Sequence, residues 1–265
     1  MQLAGGCGSG TLYTAGGGNV RMVPVLLAFC AGSFWASLDM DWWQALPGIN
    51  AVSVGEAWGW GRAAVAQIAT LLAAYFVLAR LDKSPVESRF VNEHQARWLH
   101  GPWPLAWGAL ALALLNAATL VVAGHPWTIT WAFTLWGAKA TTALGWQPSA
   151  EAFWNAPFQR DALAHPVLDD ATSVMDIGIV LGAAVAALLA GRFRPTWRMP
   201  LHSISAALIG GALMGYGARI AFGCNVGAFF SGVASTSLHG WLWIAAALPG
   251  NWIGVKLRPW FRLAN

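Results

Sequence analysis

Ala218-Arg219-Ile220-Ala221-Phe222-Gly223-Cys224-Asn225-Val226-Gly227-Ala228-Phe229-Phe230 sets a glycine-flanked cysteine between two long apolar runs. The opening of the chain, Met1-Gln2-Leu3-Ala4-Gly5-Gly6-Cys7-Gly8-Ser9-Gly10-Thr11-Leu12-Tyr13, repeats it at a constant offset without a gap. Leu3 falls on Ile220, Ala4 on Ala221, Gly6 on Gly223, Cys7 on Cys224, Gly10 on Gly227 and Tyr13 on Phe230. Self-similarity of this kind marks a structural unit used more than once. The unit here is a cysteine in a glycine-rich bend.

The surroundings of the two motifs are apolar. Of 265 residues, 57% are hydrophobic and only 10% are charged, where soluble domains carry about 25% charged residues. So few charges cannot cover a water-facing surface, so most of the outer surface faces lipid. Eighteen tryptophans fit a chain with wet headgroup layers at both ends. The net charge of +4 is small and scattered, which excludes a nucleic-acid footprint. Cys7, Cys30 and Cys224 form no CxxC pair, so a zinc or redox-dithiol site has little support. No cleavable signal peptide opens the sequence.

Apolar spans are expected at 20–38, 63–79, 103–123, 173–191, 201–218 and 238–257, the last interrupted by Pro249-Gly250. Residues 125–139, bounded by proline and glycine and seeded with threonines, are too short to cross and are a re-entrant candidate. Basic connections at 80–101 and 192–200 and the C-terminus belong inside by the positive-inside rule. The acidic connections 39–61 and 147–172 then lie outside, with Trp42, Trp43, Trp58 and Trp60 as interfacial anchors. These sides alternate only if 124–146 dips in and returns. Spans 20–38 and 201–218 both run inside to outside, so the Cys7 and Cys224 motifs join the membrane from opposite faces. The expected fold is an all-α integral membrane protein, an inverted-repeat, multi-span helical bundle with re-entrant Gly/Cys loops, its site near the midplane. Residues 1–101 form the first repeat and 102–265 the second. Six residues precede Cys7, against two spans and a re-entrant stretch before Cys224. The first repeat is therefore expected to be N-terminally incomplete.

Gly5, Gly6, Gly8, Gly10, Gly223 and Gly227 permit bends and close helix approach. Broken helices meeting at midplane leave N–H groups free at their starts, which suits an anion. A cysteine there offers a soft S–H suited to sulfur. The bland alternative makes Cys7 and Cys224 small packing residues, and their recurrence at matching positions favours a functional role. Cys30 lacks that support and reads as core. Arg219 is either an anion-attracting charge or a snorkelling interfacial arginine. Asn225 hydrogen-bonds substrate or caps a half-helix. Thr128 and Thr130 offer hydroxyls to an oxyanion or back-bond to their own helix. Lys139 is an anion guide or an interfacial anchor, with the anchor favoured. His239 is interfacial, and Arg89, His94 and Arg97 form a solvated face. No GxSxG, HExxH or Walker signature is present, and no cofactor is expected.

Gly-Gly-Cys-Gly-Ser-Gly-Thr-Leu-Tyr at 5–13, Trp-Ala-Phe-Thr-Leu-Trp-Gly-Ala-Lys at 131–139, Asp-Ile-Gly-Ile-Val-Leu-Gly-Ala at 176–183 and Gly-Cys-Asn-Val-Gly-Ala-Phe-Phe-Ser-Gly at 223–232 resemble the YeeE/YedE sulphur-transport family. The resemblance runs over essentially the whole chain. It implies a bacterial inner-membrane permease, not an enzyme, for thiosulfate or a related sulfur or selenium species. It implies that Cys7 and Cys224 pass the anion along by S–H to sulfur contacts, and that a cytoplasmic sulfur-carrier protein is a partner. The family's further upstream cysteine has no counterpart here, and 126–139 holds none either. The alternative function is a membrane-embedded thiol sulfurtransferase or redox relay.

Overall fold

The computed structural model describes residues 1–48, 52–82, 103–195 and 200–263. These residues are helical, with a single isolated bridge between Ser53 and Ser237 in place of strands. The longer helices are α1 (Gly8–Gly16), α2 (Met22–Leu38), α5 (Trp60–Leu81), α6 (Leu105–Ala123), α7 (Thr130–Ala143), α10 (Ala171–Leu189), α11 (Leu201–Ile220) and α13 (Leu238–Leu257). Short helices fill the connections: α3 (Met40–Ala45), α4 (Val54–Trp58), α8 (Ala152–Asn155), α9 (Pro157–Ala164) and α12 (Ser231–Ala234). Among the described residues four helices are long and apolar enough to cross a membrane: α5, α6, α10, and α11 counted with its continuation to Ala234. This is an all-α membrane protein.

The centre is the parallel pair α2 and α11. A Cβ on Gly211 would lie 2.5 Å from Val25 O, and one on Gly215 would run into Phe29 O. Gly32 faces Ala212 O in the same way. Residues four apart on α11 thus oppose residues four apart on α2, and the backbones touch without side chains between them. Small residues at such spacing are how helices associate in lipid, where burying apolar surface gives no advantage. Around this pair, α7 joins α2 through the Ser33 Oγ···Thr134 Oγ1 hydrogen bond of 2.6 Å. α1 lies on α10, with Gly16 against Val180 and Ala183.

The chain after α6 doubles back along that helix. The N–H of Trp127 donates to Asn116 Oδ1 at 3.0 Å, two turns before the end of α6. Ser231 Oγ donates to the Trp127 carbonyl at 2.8 Å and to Asn116 Oδ1 at 3.2 Å. α7 then starts beside the midpoint of α2 and runs the same way as α2.

Several expectations change. Helix α13 continues through Pro249 without interruption. A missing proline N–H costs one helical hydrogen bond, and the turns on either side keep theirs. The acidic connection 147–172 is two short helices and two 3-10 turns rather than a solvated loop. Its Trp154 is buried, donating Nε1–H to Ser37 Oγ at 3.0 Å. Trp43 does not simply anchor an interface: its Nε1–H donates to Tyr216, whose hydroxyl donates to Asp39. The basic residues Arg89, His94 and Arg97 lie outside the described residues.

Replacing Gly215 by valine should force α2 and α11 apart. Overpacking costs about 1–3 kcal/mol in an ordinary core, and a backbone contact has less room to relax. The expected outcome is a Tm lowered by several degrees in detergent, against no change for Gly178→Val, whose Cβ would meet open space.

Candidate functional site

Three helix starts meet beside the α2–α11 pair. Cys7 is the N-cap of α1, and its Sγ accepts from the Gly10 N–H at 3.4 Å. Ile129 is the N-cap of α7. Cys224 precedes a π-helical turn, Asn225–Phe230, that leads into α12. These starts touch: a Cβ on Gly8 would lie 3.4 Å from Ile129 Cδ1 and 3.6 Å from Cys224 Sγ. Gly8 therefore lets the second cysteine reach the first motif. The backbone amides of Val226, Gly227 and Ser9 lie close enough to act on the Cys224 sulfur. Ser9 Oγ stands 3.3 Å from Cys7 Sγ. Cys7 is half-buried, whereas Cys224 is 4% exposed and packs with Leu12, Phe29, Ile129 and Phe133.

Both cysteines line one cavity of about 490 Å³, closed on its far side by α13 residues such as Trp243 and Asn251. A second cavity, of about 670 Å³, opens toward the acidic connections. Its walls include Thr128, Thr130, Asp161, His165, Asp170 and Arg219. The bend at 223–227 stands between them: Gly223 and Cys224 face the first cavity and Gly227 the second. A Cβ on Gly227 would lie 2.8 Å from Thr128 Oγ1 and one on Gly223 2.5 Å from Ala228 N, so both glycines are required by close approach.

Arg219, in the last turn of α11, forms no ion pair among the described residues. Its guanidinium lies 5.3 Å from the ring centres of Phe153 and Phe222 and 5.9 Å from that of Trp131. Its Nε is buried without a hydrogen-bond partner. Aromatic faces hold a cation in place without neutralising it, so the positive charge stays available at the cavity wall. Phe222 takes a left-handed φ of 51° to sit there, a strained conformation for a bulky residue. Neither the Thr128 nor the Thr130 hydroxyl takes a hydrogen-bond partner among the described residues, so neither back-bonds to its helix. His165 has its pKa raised, first by the bond between its ring and the Asp161 carbonyl and next by the Asp161 carboxylate, 3.3 Å away. Cavity positive charge therefore rises as pH falls through that raised value.

Of the sequence-derived candidates, Cys7, Gly6, Gly8, Gly10, Gly223 and Cys224 gather at the helix starts, and Thr128, Thr130, Arg219 and Gly227 gather in the larger cavity. Asn225 is exposed and lines neither, and Cys224 rather than Asn225 holds the cap position. The Lys139 Nζ donates to Leu163 O at 2.8 Å and His165 O at 2.6 Å, closing the end of α9. Asp161, His165 and Asp170 were not singled out from the sequence. The only hint was that acidic residues concentrate in 147–172.

The family model described as Sulphur transport matches residues 1–253. The chain belongs to that family. It is 32% identical over 170 residues to the Probable transporter YedE of Escherichia coli strain K12, covering 63% of this chain and 41% of YedE. The YedE of Salmonella typhimurium strain LT2 matches to the same extent. The Thiosulfate transporter TsuA of Spirochaeta thermophila is 31% identical over 271 residues, which cover 95% of this chain and 72% of TsuA. The chain spans about two fifths of the length of the YedE proteins it matches.

Burial ranks the two site thiols of this family member. In a Cys30→Ala background, a maleimide should label Cys7 several-fold faster than Cys224, measured by intact mass in the two single-cysteine variants.

Proposed function

We propose that this chain forms the membrane core of a permease for a small sulfur-containing anion, thiosulfate foremost, in the bacterial inner membrane. The observation that carries this reading is the meeting of Cys7 and Cys224, from opposite ends of the chain, at helix starts in one cavity. Helix starts present unpaired N–H groups and positive dipole ends to an anion. Thiols add soft contacts that favour a sulfur atom over water or chloride. An anion enters the larger cavity, where the Thr128 and Thr130 hydroxyls and Arg219 replace part of its water. It then passes the bend at 223–227 to Cys224 and Cys7. Removing an anion from water is costly unless such donors stand ready.

On this reading the Cys7 and Cys224 motifs are matching parts of an inverted repeat, 1–101 and 102–265. Residues 124–146 re-enter from the outside, as the pairing of Trp127 with Asn116 suggests. TsuA is named as a thiosulfate transporter, which supports the substrate. A cytoplasmic sulfur carrier would receive it below the cysteine cavity. The meeting of the two cysteines in one cavity also favours a second reading, a thiol relay in which Cys7 and Cys224 reduce the outer sulfur of thiosulfate, releasing sulfide and sulfite and leaving a Cys7–Cys224 disulfide.

The test is growth on thiosulfate as sole sulfur source in a bacterium lacking its own uptake systems. The parent should rescue growth, and Cys7→Ala and Cys224→Ala should each lose most of the uptake while remaining in the membrane. Rescue by all three would reduce the cysteines to packing. A disulfide accumulating during turnover, seen by mass under non-reducing conditions, would favour the relay. Arg219→Gln should raise the concentration for half-maximal uptake about tenfold, the loss of one charge-assisted contact.

A further inference from the structure

Helix α10 carries a carboxyl group that the path described above does not use. Asp176 is 0% exposed, and neither of its oxygens has a hydrogen-bond partner among the described residues. It lies in a helix long and apolar enough to cross a membrane, and it lines neither cavity. A carboxyl group buried with no donor or counter-ion among the described residues is best accommodated while it holds its proton. Ionisable groups inside a membrane protein commonly mark ion or proton pathways.

Asp176 lies one turn below groups that reach the wall of the larger cavity. Asp170, on the cavity wall, precedes it by six residues, about 9 Å at the helical rise. Asp170 Oδ2 accepts from Ser173 Oγ at 2.7 Å. Ser173 is itself 0% exposed and stands one turn above Asp176 on the same face. Its hydroxyl oxygen accepts from Trp136 Nε1 of α7 at 2.8 Å. A carboxylate on the cavity wall, a buried hydroxyl and a sealed carboxyl thus follow one another down α10. The titratable groups acting on Asp176 are Asp170 on its own helix and Cys30 from α2. Helix α7 meets α10 through the Trp136 indole on Ser173, and α1 meets it through Gly16 on Val180 and Ala183, neither of them charged.

We infer that Asp176 is the proton-carrying group of the permease, loaded from the outer cavity through Asp170 and Ser173, so that proton entry is coupled to anion uptake. The inference rests on the permease reading. Moving an anion inward works against a negative-inside potential, and a proton carried with it offsets one negative charge. The proton binds the Asp176 carboxylate from the cavity side and leaves the carboxyl toward the other side, with no bond in the anion changed.

The experiment uses the purified protein in proteoliposomes with radiolabelled thiosulfate. Counterflow at equal pH reads anion exchange, and uptake under an acid-outside gradient reads coupling. The parent should show both, the gradient accelerating uptake several-fold. Asp176→Asn should keep counterflow and lose the acceleration, with Asp176→Glu restoring part of it. The parent's infrared spectrum should contain a protonated-carboxyl band that Asp176→Asn removes. Equal acceleration in parent and Asp176→Asn, or no such band, would overturn the inference. So would loss of counterflow in a well-folded Asp176→Asn, which would make the residue structural. Absence of counterflow in the parent would instead remove the thiosulfate reading and with it the coupling. The infrared band would still decide whether Asp176 holds a proton.

Discussion

The backbone contact between α2 and α11 is the constraint on which the other arrangements depend. Lipid gives helices no hydrophobic reason to associate, so contact must come from close approach. Gly32, Gly211 and Gly215 supply it by removing the side chains between two helices. Once that pair is fixed, Phe29 and Ala218 present one apolar surface with Leu12, Ile129 and Phe133. The starts of α1, α7 and the π-helical turn then rest on that surface. Irregular backbone at membrane depth is tolerable only where it is buried in protein or lines a cavity. The bend at 223–227 does both.

The charges follow from the same arrangement. Helix starts bring partial positive charge to the centre without a buried ion. Arg219 brings a full positive charge to the cavity wall, held by aromatic rings rather than by a carboxylate. A salt bridge there would have neutralised the charge that an anion needs. Two acidic groups of the same cavity are engaged locally: Asp170 accepts from Thr172 and Ser173, and Asp161 faces His165.

Much of the site was legible because its chemistry is local. Cys7 and Cys224 were found through a repeated thirteen-residue pattern, and a glycine beside each cysteine needs only neighbouring residues to explain it. Arg219 was legible as a charge in an apolar run. The contacts of Lys139 were not legible because its partners, the carbonyls of Leu163 and His165, are more than twenty residues away. Asn225 was misjudged because the π-helical turn begins one residue earlier than a simple cap would suggest. The interruption expected at Pro249 was a matter of propensity, and a helix supported on both sides of one missing bond continues through it.

Composition and periodicity by themselves determined the class: few charges, long apolar runs, glycine bends and a motif used twice, each fixed by residue types within a helix length. They also singled out Cys7 and Cys224 as the matching thiols, since a repeat is written in the chain itself. Only the tertiary structure decided that the two thiols share one cavity, and that among the described residues Arg219 has no carboxylate and Asp176 no hydrogen-bond partner. Those facts depend on the relative placement of helices distant in sequence, and that placement is set by backbone contacts at glycines that hydropathy does not register.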